Sequence, residues 1–141
     1  MKLSTKGQYA VRAMVRLAGW HRQGPVSLRE IAEQENISQQ YLEQLFIELR
    51  RAKLVTSVRG AAGGYTLSRD PSTISVGDVV RAVEGPLQLV DCLSPGNEEC
   101  CRLLETCVSR DVWKKLQDAM VEVMDSLTLD RVVGKVHVIL S

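Results

Sequence analysis

All four cysteines of the 141-residue chain lie between Cys92 and Cys107, as Cys92, Cys100, Cys101 and Cys107. Eight residues separate Cys92 from Cys101 and five separate Cys101 from Cys107, around a turn-forming Pro95-Gly96-Asn97. Thiolates gathered in one loop form a soft-ligand pocket of the kind that selects iron–sulfur clusters, zinc or cuprous copper. Buried free cysteines are the bland alternative, since a free thiol packs as a small hydrophobe. A segment that also carries Glu98, Glu99, Arg102 and Glu105 is too polar for core. Metal or redox chemistry is therefore the expectation for residues 87–108.

The rest of the chain has to position that loop and say what it controls. At 141 residues, 45% hydrophobic and 25% charged, the composition is that of an ordinary globular domain with a modest core. No leader of the basic-then-apolar kind opens it, and its apolar runs are too short and too charged to span a bilayer. A cytoplasmic location is expected, where four cysteines argue for metal or redox chemistry rather than disulfides. The net charge of +1 conceals an asymmetry: residues 1–60 carry ten Lys/Arg against five Asp/Glu, and residues 61–141 carry eight against twelve. A basic front half suits a polyanion partner.

Ser4 or Thr5 can cap a first helix, in which Ala10, Ala13, Met14, Leu17 and Ala18 recur at helical spacing until Gly24-Pro25. Ser27 and Glu30 make a capping box that opens a short second helix, and after the turn at Glu35-Asn36-Ile37, Ser38 is placed to cap a third. In that third helix, about Gln39 to Ala52, Leu42, Leu45, Phe46 and Leu49 form a core-facing stripe. Gln40, Gln44, Ile47 and Arg51 fall on the opposite side, and Glu43 lies between the two faces. Gln suits adenine edges, and Arg suits guanine edges or phosphates. Two short helices joined by a tight turn, the second with such a face, read as a helix-turn-helix, with a solvated bundle face as the bland alternative.

Residues 54–59 then read as a strand, Gly60-Ala61-Ala62-Gly63-Gly64 as a turn, and Tyr65-Thr66-Leu67 as the partner strand. A hairpin after a recognition helix is a wing, and Arg59 sits at its tip, placed for a minor groove or a phosphate. The Gly-rich turn opens no helix and lacks the Lys-Ser/Thr of a nucleotide loop. Ser75 caps a helix over Val76–Glu84 with Val79, Val80 and Val83 inward. Ser109 can cap a long one, about Arg110 to Ser126, and Thr128-Leu129-Asp130 can start one more turn before an apolar end, Val136–Leu140, that should dock. Along the long helix Trp113, Leu116, Met120, Val123 and Leu127 form a seam of about two heptads. Packing against the same chain, or against a second copy in a twofold dimer, would cover it.

Taken together, these residues resemble the iron–sulfur cluster regulator (IscR) family of bacterial winged-helix transcription factors. The carriers are Leu3-Ser4-Thr5-Lys6-Gly7-Gln8-Tyr9-Ala10-Val11, Ile37-Ser38, Tyr41-Leu42-Glu43-Gln44-Leu45-Phe46, Leu54-Val55, Ser57-Val58-Arg59-Gly60, Gly63-Gly64-Tyr65, Val76-Gly77-Asp78-Val79 and the cysteine loop. The resemblance implies a homodimer that binds double-stranded, palindromic promoter DNA through Ser38, Gln40, Tyr41, Glu43 and Gln44, with Arg59 in the minor groove. It also implies Cys92, Cys101 and Cys107 as ligands of an iron–sulfur cluster, of the 2Fe–2S type with 4Fe–4S as the other form. Family members of the 2Fe–2S type place a histidine where this chain has Arg110, and a guanidinium does not coordinate iron. Glu43 and Cys100 are then the candidate fourth ligands, while Asp91, Glu98, Glu99 and Glu105 are further oxygen donors. Relatives that sense nitric oxide use a carboxylate at the position of Gln8.

The expected architecture is mainly α with a small β wing: a winged helix-turn-helix over 1–86, the cysteine loop over 87–108, and a dimerisation helix with a C-terminal segment over 109–141. The expected function is a regulator that senses cluster status and controls iron–sulfur cluster assembly genes. Its rivals are a cluster-free regulator answering thiol oxidation, with Cys100-Cys101 as a redox pair, or a protein partner, a nitric-oxide-sensing relative, and an iron–sulfur carrier or zinc protein. No nucleophile–base set or metal-activated water motif suggests an enzyme, and nothing suggests a small-molecule substrate.

Overall fold

The computed structural model of the chain describes residues 3–93 and 108–140, without the side chains of Asp91 and residues 135–140. Helix α1 (Thr5–Gly19) starts where Ser4 Oγ accepts from the Gly7 N–H at 3.1 Å. It ends at Gly19, earlier than the Gly24-Pro25 stop: a 3₁₀ turn, His21–Gln23, intervenes and Gly24 takes φ 94°. Helix α2 (Leu28–Glu35) carries the expected capping box, and Asn36 closes it in the left-handed region at φ 53°. Helix α3 (Gln39–Arg51) follows, then the antiparallel strands β1 (Val55–Val58) and β2 (Gly64–Leu67). Their register pairs Val55 with Leu67 and Val58 with Gly64.

A third backbone segment joins this wing, one that periodicity does not reveal. Val26 donates to Tyr65 O at 3.0 Å and accepts from the Tyr65 N–H at 2.8 Å. A Cβ on Gly64 would lie 2.3 Å from the Val26 carbonyl oxygen, so the close approach requires glycine there.

Helix α4 (Val76–Glu84) has a second capping box, completed by Asp78 at N3, with Val79, Val80 and Val83 buried. Helix α5 (Val108–Ser126) begins before Ser109, which therefore lies inside the first turn instead of capping it; Leu127 falls beyond its last residue. The expected single turn at Thr128 is a 12-residue helix, α6 (Leu129–Leu140). The docking expected of Val136–Leu140 concerns side chains outside the described residues.

The core lies where α1, α3, α4 and the start of α6 meet. Met14, Leu17, Ile31, Leu42, Phe46, Leu49, Val79 and Leu129 are all at most 1% exposed. Burying each such side chain contributes about 1.5–3 kcal/mol, against a few tenths for an exposed helical pair. The apolar stripe of α3 therefore decides which of its faces turns outward.

Candidate nucleic-acid interface and cysteine site

Positioning of α3 begins with its two ends. Ile37 is buried, its N–H donates to Ala32 O at 3.1 Å, and Ser38 Oγ accepts from the Tyr41 N–H at 3.1 Å. That cap occupies a lone pair of Ser38 and leaves its hydroxyl hydrogen to donate outward. Behind the helix, Phe46 packs on Tyr65 of β2 at 4.8 Å between ring centroids, locking α3 to the wing. Lys6 of α1 reaches Glu48 at 2.6 Å.

Of the expected reading residues, Ser38, Gln40, Glu43, Gln44 and Arg51 are all exposed, and the helical period brings the α3 positions onto its outer side. Tyr41 differs, being half-buried with its ring edge-on to Tyr9 at 5.6 Å. Arg59 follows β1 directly and is exposed, just before a turn closed by Gly63 N–H to Gly60 O at 3.0 Å.

Charge distribution sharpens this face. Arg12 and Arg16 both pair with Glu35, at 3.1 and 3.0 Å, so one carboxylate neutralises part of the basic front half. Arg50, Arg51, Lys53 and Arg59 are exposed and form no ion pair among the described residues. Three of them cluster at the C-terminal end of α3, where Lys53 takes φ 61° and turns the chain into the wing. Arg50 and Lys53 are cations that sequence reading missed; the signal was a basic run at a helix end, which also suits the helix dipole.

The cysteine site is described at one end. Cys92 sits in a 3₁₀ turn, Asp91–Leu93, that packs against α5, and it is a half-buried free thiol. Cys100, Cys101 and Cys107, with Glu98, Glu99 and Glu105, lie outside the described residues, as does the side chain of Asp91. Arg110 occupies the first turn of α5, and its buried Nε has no hydrogen-bond partner among the described residues. Gln8 is bound to Leu3 O at 2.9 Å. Glu43 stands on the exposed side of α3, and no described group of three or more His, Cys, Asp or Glu could hold a metal ion.

A capped helix-turn-helix, a paired two-strand wing behind it, and exposed cations where the two meet define a winged-helix DNA-binding protein. The chain belongs to the Rrf2 family, described as an iron-dependent transcriptional regulator, which its residues 3–135 match. It is 45% identical over 130 residues to the HTH-type transcriptional regulator CymR of Bacillus subtilis, covering 92% of this chain and 88% of that one. It is 40% identical over 139 residues to the HTH-type transcriptional regulator IscR of Pectobacterium atrosepticum, covering 99% of this chain and 83% of the other. Among solved structures it resembles CymR, the global cysteine regulator of B. subtilis, with TM-score 0.78, 40% identity and coverage of 96% and 98%. T. potens IscR matches with TM-score 0.79 and 43% identity, over 96% of this chain and 88% of that one. The chain is thus a transcriptional regulator and not an enzyme. No helix among the described residues is long and apolar enough to cross a membrane.

Proposed function

We propose that the chain acts as an operator-binding homodimer whose DNA affinity or choice depends on an iron–sulfur cluster, and that it controls iron–sulfur cluster assembly genes in the cytoplasm. The observation that carries the reading is the gathering of all four cysteines within residues 92–107 of an Rrf2-family chain. A set of thiolates fits an iron–sulfur cluster by donor chemistry. Cys92, Cys101 and Cys107 hold it, with Glu43 or Cys100 as fourth ligand, because the Arg110 guanidinium is a donor group that offers iron no lone pair. When bound, the cluster supplies a change of local charge and redox state; 2Fe–2S is the form proposed, 4Fe–4S the alternative. Residues 1–86 read DNA, 87–108 hold the cluster and 109–141 dimerise.

The chain's own residues make the coupling. Ser38, Gln40, Tyr41, Glu43 and Gln44 face the major groove, Arg51 a phosphate and Arg59 the minor groove. A carboxylate at Glu43 repels phosphates and base acceptors but accepts from a cytosine amino group, so turning it changes which operator is favoured. A ligand that binds one of two helix settings better shifts the population toward it. Dimerisation is supported by α5, which buries no residue in the single chain: Trp113, Leu116, Met120 and Val123 are 41%, 44%, 36% and 57% exposed.

The test is an anaerobic absorption spectrum with iron and sulfide assays, followed by operator binding of holo, apo, Cys92→Ser and Glu43→Ala protein. A charge-transfer band with matched iron and sulfide, and regulation lost in Cys92→Ser, are expected. A second reading, a cluster-free regulator answering thiol oxidation at Cys100-Cys101 or a protein partner, is favoured by the similarity to CymR, described as a cysteine regulator. Protein that stays colourless after reconstitution, with regulation intact in Cys92→Ser, would select it.

A further inference from the structure

We propose that Ile47 is a specificity-determining residue that reads the 5-methyl group of a thymine in each half-site. The inference rests on the proposed operator binding through α3. Its starting observation is an anomaly of burial. Leu42, Leu45, Phe46 and Leu49 are at most 1% exposed, whereas Ile47, set among them in the sequence, is 45% exposed. The core side of α3 is complete without it.

Its direction is that of the reading face. At 100° per residue Ile47 falls about 20° from Gln40 and about 40° from Glu43 around the helix. Gln40, Glu43, Gln44 and Ile47 are spaced i, i+3, i+4, i+7, the spacing with which a recognition helix lying along the major groove presents one stripe to the base edges. Gln40, Glu43 and Gln44 are polar and exposed, and Ile47 ends the stripe with a group that neither donates nor accepts.

Among the base edges of the major groove, one feature is apolar: the thymine methyl. Cytosine presents an amino donor beside a bare C5–H, and the purines present acceptors or an amino group. An isoleucine side chain against any of those leaves a polar group without a partner, while against a thymine methyl it removes apolar surface from water on both sides. A β-branched residue in a helix also keeps essentially one χ1 rotamer, so little side-chain freedom is lost on docking. Its neighbours bear other duties. Arg50 and Arg51 form no ion pair among the described residues and suit the DNA backbone, and Glu48 is tied to Lys6.

The experiment selects duplexes from random DNA with the full-length protein, apo and holo. Each thymine of the selected operator is then replaced in turn, symmetrically in both half-sites, by deoxyuridine, which deletes the methyl alone. One methyl group's transfer free energy corresponds to about fourfold in affinity per half-site, or about 15-fold for both. The expected result is one symmetric thymine pair whose replacement weakens the wild type by that factor and leaves Ile47→Ala unaffected. Ile47→Thr, which keeps a methyl and the β-branch, should retain part of the discrimination. Equal effects of deoxyuridine on wild type and Ile47→Ala at every position would overturn the assignment while leaving operator binding in place. Enrichment of no sequence at all would overturn operator reading, and this inference with it. Thermal melting of Ile47→Ala should match the wild type, because the residue lies outside the core.

Discussion

Arg81 Nη2 lies 2.7 Å from Asp125 Oδ1, an ion pair that ties α4 of the winged unit to the last turn of α5. Arg81 also meets Asp78 at 3.2 Å, and Asp78 meets Arg69, just beyond the wing, at 3.4 Å. A line of four alternating charges thus runs from the wing to the proposed dimerisation helix. Beside it, Val76 donates to Leu127 O at 2.7 Å and Leu129 to Ile74 O at 2.9 Å. The backbone pairing holds the junction; the charges tune it. Arg81 and Asp125 are 37% and 43% exposed, and exposed pairs contribute about 0.2–1 kcal/mol. A double-mutant cycle of Arg81→Ala and Asp125→Ala, read by thermal unfolding, should give a coupling in that range. Strict additivity would remove the pair from the account.

Acid should weaken the same junction. Burial alone would raise the Asp78 carboxyl, but hydrogen bonds from the Ser75 backbone, Arg81 and the Ser75 hydroxyl, with the nearby Arg69 charge, hold it below its ordinary 3.8. A group depressed on folding stabilises the protein above its unfolded value, and that stability is lost as pH falls through the lower, folded value. Wild type should therefore lose stability more steeply than Asp78→Asn below about pH 4. Parallel acid limbs in the two proteins would contradict this.

Gly64 is expected to tolerate no side chain. Its φ is 153° and an added Cβ would meet the Val26 carbonyl oxygen at 2.3 Å. Gly64→Ala should cost at least about 1–3 kcal/mol in denaturant unfolding. Gly19, where an added Cβ would touch nothing within 4 Å, is the control: Gly19→Ala should not destabilise.

Operator affinity should fall steeply with salt, and which arginine is removed should matter. Arg51→Ala, which removes the proposed phosphate contact, is expected to reduce the slope of log K against log salt by about 1.8 for two half-sites, from about 0.9 per phosphate contact. Arg12→Ala should leave the slope unchanged, since Arg12 already pairs with Glu35. Equal effects of the two would show that ion pairing within the protein does not sort its cations.

If α5 carries the proposed dimer interface, Leu116→Glu should leave only monomer in sedimentation equilibrium while the winged unit stays folded. Leu116 is 44% exposed in the single chain, so a carboxylate there can reach water until a second helix covers it. A dimer that persisted in this variant would place the interface elsewhere.

The local code was legible wherever a short-range rule decides the outcome. Ser38, Ser75 and the Ser27–Glu30 pair declare helix starts because a capping oxygen needs only the next turn's N–H groups. The stripe of Leu42, Leu45, Phe46 and Leu49 declares the buried side of α3, since apolar burial outweighs any other local preference. Clustered cysteines make residues 92–107 a candidate thiolate site without naming an occupant, because zinc, a cluster and a disulfide draw on the same side chain.

Partners distant in sequence were decided by tertiary structure alone. Nothing near Val26 foretells its pairing with Tyr65, and nothing near Arg12 or Arg16 foretells that Glu35 engages both. The single turn expected after Thr128 becomes α6 because Leu129 finds a fully buried place against distant residues, and tertiary burial, not propensity, supplies most of a helix's stability. By itself the sequence determined the caps of the first four α-helices and the faces they turn to the core. Which cations stay unpaired to meet DNA, and which strands support the wing, depended on contacts that form only when the chain is folded.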